Sequence, residues 1–145
     1  MIEVRPVEAR DEEAWRRLFT AYGAFYETDI SASVATHVWT HLLDGRELHG
    51  VVAEHEGTVV GFGVYRSHVA TFRAGRDWYL EDLFVDPSAR GRGAATAIIQ
   101  HVAGVARAVS PGTLRWVTNA DNERAQRVYD RIATRTSWIT YEVEL

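Results

Sequence analysis

The chain has 145 residues, no cysteine and a formal net charge of −4, with 46% hydrophobic and 25% charged residues. This length and balance suit one domain with its own core, and the missing thiols exclude disulfides, thiolate metal sites and cysteine nucleophiles. The acidic balance argues against a nucleic-acid partner. The opening IEVRPVEARDEEAW resembles no secretory leader and no apolar run nears the ~20 residues that span a bilayer, so a cytoplasmic chain with no membrane partner is expected.

In chain order, IEVRPV at 2–7 alternates as a strand does. Residues 11–21 read as a helix, with Trp15, Leu18, Phe19 and Tyr22 spaced for one face. ISASVATHVWTHLLD at 30–44 reads as a second helix closed by Asp44-Gly45. GVVAEHEG and TVVGFGVYRSHV flank a turn at Glu56-Gly57, and DWYLEDLFV at 77–85 is a fourth strand. Residues 92–109 form the strongest helix, with Ala95, Ile98, Ile99, Val102, Val105, Ala106 and Val109 on one stripe. TLRWVT at 113–118 is a fifth strand, 121–131 a short helix, and SWITYEVEL at 137–145 a final strand with Ile139, Tyr141, Val143 and Leu145 on one face. The order β-α-α-β-β-β-α-β-α-β predicts an α/β (α+β) single domain, a mixed sheet with helices against it.

The junction between the fourth strand and the strong helix is chemically odd. It reads DPSARGRGAAT over 86–96. A helix N-terminus carries unpaired N–H groups and partial positive charge, so a structural start favours Asp, Ser or Glu. Arg90 and Arg92 add like charge, and Gly91 and Gly93 cost backbone entropy. The pattern makes sense around an anion, with glycines for close approach, inward N–H groups and arginine charge; a phosphate or pyrophosphate fits. The plain alternative is a tight turn with surface arginines. A P-loop is excluded because the chain has no lysine, and the third position of a dinucleotide fingerprint is filled by Thr96.

Arg90-x-x-Gly93-x-Ala95 after a strand resembles the acetyl-coenzyme A motif of the GNAT family of N-acetyltransferases. The resemblance implies a mostly antiparallel central sheet flanked by helices. It implies that main-chain N–H groups around Arg92, Gly93, Ala94, Ala95 and Thr96, beside Gly91, hold the coenzyme A pyrophosphate. It also implies that the pantetheine arm bonds main-chain groups of Leu83, Phe84 and Val85.

A second motif lies in NADNERAQRVYDRIA. Asp121 is a good N-cap, and Asn122, Ala125 and Tyr129 share one helical stripe, which by itself reads more readily as packing than as a site. N-x-x-A-x-x-x-Y is also the other half of the GNAT signature, which implies that Asn122 bonds the pantetheine arm and Tyr129 sits near the thioester sulfur. Trp116, Thr118, Asn122 and Ala125 resemble the Hpa-type histone and polyamine branch. YLED-x-FV followed by Arg-Gly-x-Gly resembles the diamine branch. The Gly-Phe common after the last helix is replaced by ATRTSWITY.

Glu81 and Asp82 are neighbours in the fourth strand, so one carboxylate is expected on each face among apolar residues. Either is a structural ion pair with an arginine, or Glu81 is a general base acting through water while Asp82 attracts a cationic acceptor. Glu27 and Asp29 add acid to a loop, and Tyr26-Glu27 resembles a substrate-touching pair of the diamine branch. His37 and His41 lack the glutamate of HExxH and a third ligand, so no metal is expected. The expected activity is acetyl transfer from acetyl-CoA to a primary amine by direct attack, with Tyr129 protonating the thiolate. The alternative is a non-catalytic acyl-CoA-binding domain. The resemblance also implies a homodimer, with the last strand as its contact.

Overall fold

The alternating segments meet in one five-stranded sheet in the computed structural model, which describes residues 1–145. Strands β1 (Ile2–Pro6), β2 (His49–His55), β3 (Thr58–Val69) and β4 (Arg76–Val85) pair antiparallel in that order. Strand β5 (Leu114–Arg115) runs parallel to β4 at one edge. Helices α1 (Glu12–Phe25) and α2 (Ala32–Asp44) cover one face, and α3 (Ala94–Val109) covers the other. Helix α4 (Glu123–Ile132) follows β5.

Each face has its own core. On the α1–α2 side Trp15 is fully buried, stacked on Phe19 at 4.6 Å and beside Trp39 at 5.2 Å, over Val52, Phe62 and Phe84. On the α3 side Ile98, Ile99 and Val102 pack on Val51, Ala53 and Leu80. Val51 and Val52 belong to opposite cores, as the two-residue period of a strand requires. Burying each of these large side chains stabilises the fold by roughly 1.5–3 kcal/mol. Gly63 lets α3 come close, because a Cβ there would stand 2.8 Å from Cγ2 of Ile98. Arg5 clasps the β1–β2 edge, donating to Asp11 at 2.7 and 2.8 Å and to Glu54 at 2.7 Å.

The stop signal expected for α2 holds. Ser31 caps α2 by accepting from the Val34 N–H, and Gly45 closes it with φ 67°. Three expectations are corrected. The fifth strand, expected over 113–118, pairs only at Leu114–Arg115, because β4 and β5 diverge beyond Tyr79. The cap of α4 is Asn122 rather than Asp121: its Oδ1 accepts from the Ala125 N–H at 3.2 Å. The final strand over 137–145 is not formed. A strand needs a hydrogen-bonded mate, and residues 134–145 make no main-chain hydrogen bond within the chain. The element order is therefore β-α-α-β-β-β-α-β-α.

Candidate active site

The divergence of β4 from β5 makes the site. Their pairing stops at Trp78–Leu114 and Tyr79–Arg115. From Leu80 to Val85, main-chain groups turned away from β3 have no strand to meet. The fork opens a cavity of about 650 Å³, lined by Leu80, Leu83, Phe84 and Val85 on one wall and by Trp116, Val117 and Thr118 on the other. That volume suits a small organic ligand.

The Arg-Gly-Arg-Gly junction closes one end. Gly91 and Gly93 hold φ of 82° and 83°, the left-handed region that disfavours side chains, and nothing stands within 4 Å of where either Cβ would be. The first turn of α3 has no side-chain cap and no acid. The first intrahelical bond runs from Ala97 N–H to the Gly93 carbonyl, so the N–H groups of Ala94, Ala95 and Thr96 have no intrahelical partner. All three residues line the cavity. An exposed glycine cradle with aimed N–H donors fits a pyrophosphate. The two arginines part company: Arg92 is exposed, whereas Arg90 turns back, donates from Nε to the Val85 carbonyl at 3.1 Å, and lies over Phe84 and Phe25 at 5.7 and 5.8 Å.

Helix α4 brings Asn122, Ala125, Val128, Tyr129 and Ile132 to the cavity. With Oδ1 of Asn122 committed to the helix cap, its amide N–H groups remain for a ligand carbonyl. Tyr129 packs edge-on against Trp116 at 5.4 Å. Burial pushes its phenol up to about 12, so it is held protonated at neutral pH, as a proton donor must be.

The two neighbouring acids meet different surroundings. The β3–β4 register shifts so that Val64 faces Asp82 and Tyr65 faces Leu80, leaving Glu81 as the extra residue of a bulge. Glu81 therefore stands in a partly exposed position on the cavity wall, paired with the Arg66 guanidinium. The expected burial falls on Asp82 instead. Asp82 points to α1 and accepts a hydrogen bond from the Tyr22 hydroxyl at 2.8 Å, and burial raises its carboxyl above the usual range. Asp82 stands behind Tyr22 rather than in the cavity wall. Tyr26 lines the mouth, while Glu27 (φ 55°) and Asp29 lie exposed beside it. Tyr22 and Phe25 also line the cavity, and nothing in the sequence marks either as a site residue: the helical stripe sets Tyr22 on the face of Trp15, although its hydroxyl is a polar atom that needs a partner. His37 and His41 meet edge to face at 4.7 Å on α2, away from the cavity lining.

The profile of the Acetyltransferase (GNAT) family matches residues 10–133. The D-amino-acid N-acetyltransferase HPA3 of Saccharomyces cerevisiae is 31% identical over 144 residues, covering 97% of this chain and 89% of that protein. The thialysine N-epsilon-acetyltransferase of Bos taurus is 38% identical over 77 residues, 53% of this chain and 45% of that one. These two relatives match the Hpa-type and diamine branches that the motifs resemble. Among solved structures, a probable acetyltransferase aligns with a TM-score of 0.87 at 24% identity, covering 99% of this chain and 97% of that one. The aminoglycoside acetyltransferase AAC(6')-Iy, bound to a bisubstrate analogue, aligns with a TM-score of 0.82 at 20% identity, covering 100% and 99%; both are likenesses of fold. The protein belongs to the GNAT family and is an N-acetyltransferase, an acetyl-transfer enzyme acting on amines.

Proposed function

We propose that the enzyme moves the acetyl group of acetyl-CoA to a primary amine, on a polyamine-like small molecule or a lysine side chain, by direct attack in a ternary complex. The observation that carries this is the continuity of the cavity from the uncapped start of α3, along the unpaired edge of β4, to Tyr129. Gly91, Arg92, Gly93, Ala94, Ala95 and Thr96 build the pyrophosphate cradle, and Arg90 braces it through the Val85 carbonyl. Leu83, Phe84 and Val85 supply main-chain partners for the pantetheine arm, joined by the Asn122 amide. The thioester supplies an activated acyl carbon.

An amine has a pKa near 10.4 and must lose a proton before it attacks. Glu81, held in place by Arg66, takes that proton through water. Tyr129 returns a proton to the leaving thiolate. Tyr26 and the exposed Glu27 beside it form the acceptor side, with the charge of Asp82 behind Tyr22. No enzyme nucleophile and no metal are needed for this path, which is set in the cytoplasm. No helix is long and apolar enough to cross a membrane.

Thermal unfolding with acetyl-CoA, ATP and NAD at equal concentration tests the donor. A ligand at 100 times its Kd adds about 2.7 kcal/mol of stability, so a shift with acetyl-CoA alone is expected, and equal shifts with all three refute the donor site. Release of free thiol on mixing donor with an amine panel tests the transfer; thiol release no faster than without amine would favour a binding domain.

We also propose a homodimer through the last segment. Its apolar face is uncovered, with Ile139 77%, Tyr141 89% and Val143 84% exposed, and the outer edge of β5 is free. The full chain should have twice its monomer mass in solution, and a chain stopped after residue 136 should not. A monomeric full chain excludes this contact.

A further inference from the structure

Asp82 is the acid that packing alone does not account for. It lies between β4 and α1, and no arginine reaches it. A carboxylate withdrawn from water without a cation costs free energy unless a donor satisfies it. The donor is Tyr22, at 2.8 Å. Tyr22 is itself a wall of the cavity. Its ring is fixed by edge contacts with Tyr26 at 5.1 Å, Phe62 at 5.8 Å and Phe84 at 5.9 Å. Tyr26 and Tyr129 line the same cavity, so Tyr22 faces the same space as the residue placed at the thioester.

A hydroxyl has one hydrogen and two lone pairs. With its hydrogen given to Asp82, the Tyr22 oxygen can offer the cavity only lone pairs. It can accept from an N–H and cannot donate to a carbonyl. The carboxylate behind it adds electron density to that oxygen, as in other hydrogen-bonded chains. Free to turn, the same hydroxyl would serve a carbonyl equally well.

Resting on the acetyl-transfer reading above, we propose that Tyr22 binds the acceptor amine, its oxygen taking a hydrogen bond from the amine N–H, and that Asp82 is a positioning residue that fixes the polarity of that oxygen by holding its proton. The site thereby selects a group that brings a hydrogen to the Tyr22 oxygen and keeps a lone pair for the acyl carbon. The negative charge of Asp82 reaches a cationic acceptor through the phenol rather than by contact.

The test is steady-state kinetics of Tyr22→Phe, Asp82→Asn and the double variant, with an amine that the wild type acetylates. Tyr22→Phe keeps the ring and removes only the oxygen. Its amine KM should rise about tenfold or more, the loss of one hydrogen bond to a charged donor. Its acetyl-CoA KM and the thermal shift with acetyl-CoA should stay unchanged. Asp82→Asn should raise the amine KM less, and in the Tyr22→Phe background it should add nothing, because it acts through the oxygen already removed. An unchanged amine KM in Tyr22→Phe overturns the proposal, as do additive effects in the double variant. Should Asp82→Asn fail to fold, the KM split in Tyr22→Phe decides alone. A wild type that acetylates no amine overturns the parent reading and this one together, whereas an active wild type with an indifferent Tyr22→Phe overturns this one only.

Discussion

The part of the molecule from β1 to α3 and the part from β5 to the last residue both carry apolar stripes, yet only the first is filled. No buried residue lies beyond Ala106. Trp15 in α1 is 0% exposed and Trp138 in the last segment is 83% exposed. Helix α4 has a sharply apolar stripe and no buried residue, because the stripe lines the cavity. The difference teaches that apolar periodicity records a need for a partner without saying which partner. In the first part the partner is the chain's own sheet. In the second it is the proposed coenzyme on one side and the proposed second copy on the other.

Substitutions can sharpen or break this contrast. The largest effect belongs to the open part. Tyr129→Phe should cut turnover by about 10²–10⁴ if its proton serves the leaving thiolate, with donor binding nearly intact; unchanged kcat would remove it from the mechanism. Next comes the filled part. Trp15→Ala should cost about 3–5 kcal/mol in denaturant unfolding, the range for emptying a tightly packed core site; a loss under 1 kcal/mol would mean that this core is looser than it looks.

Smaller again is Gly63→Ala, whose Cβ would press on Ile98 and Val51, at 2.8 and 3.2 Å from their Cγ2 atoms. Overpacking of this kind costs about 1–3 kcal/mol, read as a lower melting temperature. Asp11→Asn should cost a similar or smaller amount, since Arg5 keeps Glu54. Its pH dependence has a definite sign. The Arg5 guanidinium holds the Asp11 carboxyl below its usual range, so its contribution is present above pH ~4 and is lost as pH falls through the lowered value. The wild type should therefore lose more stability than Asp11→Asn as pH falls below about 4, and parallel acid melts would reject the pair as a stabiliser. The smallest effect is Trp138→Ser. In a single chain it touches little, and a change within about 0.5 kcal/mol is expected at dilutions where the chain is monomeric. A larger loss there would show that the last segment docks on its own chain.

Much of this was legible from residues alone. The stripe of α1, the closure of α2 at Gly45 and the turn between β2 and β3 follow from local stereochemistry and appear where the pattern puts them, whereas the stripe of α3 is buried at Ile98, Ile99, Val102 and Ala106 but leaves Val105 and Val109 exposed. The glycine junction was legible as an anion cradle because arginine and glycine are poor helix starters, so their presence there asks for another cause. The side of the sheet taken by each acid was not legible. Alternation places Glu81 and Asp82 on opposite faces, but the bulge at Glu81, opposite the Val64–Tyr65 step, leaves Glu81 beside the cavity and turns Asp82 toward Tyr22. A bulge depends on the register of two strands, and register is a property of the pair.

The sequence by itself determined the helices, the strands as far as β4, the two motifs and the family they resemble, because these depend on side-chain spacing and on the chemistry of single residues. Only the tertiary structure decided that β5 stops after Arg115 and opens a fork, that Asn122 caps α4, and that the last segment forms no strand. It alone joined Tyr22 to Asp82 across 60 positions of chain. Those features rest on contacts between distant segments, and a hydrogen bond or a strand edge has no partner until the chain has folded around it.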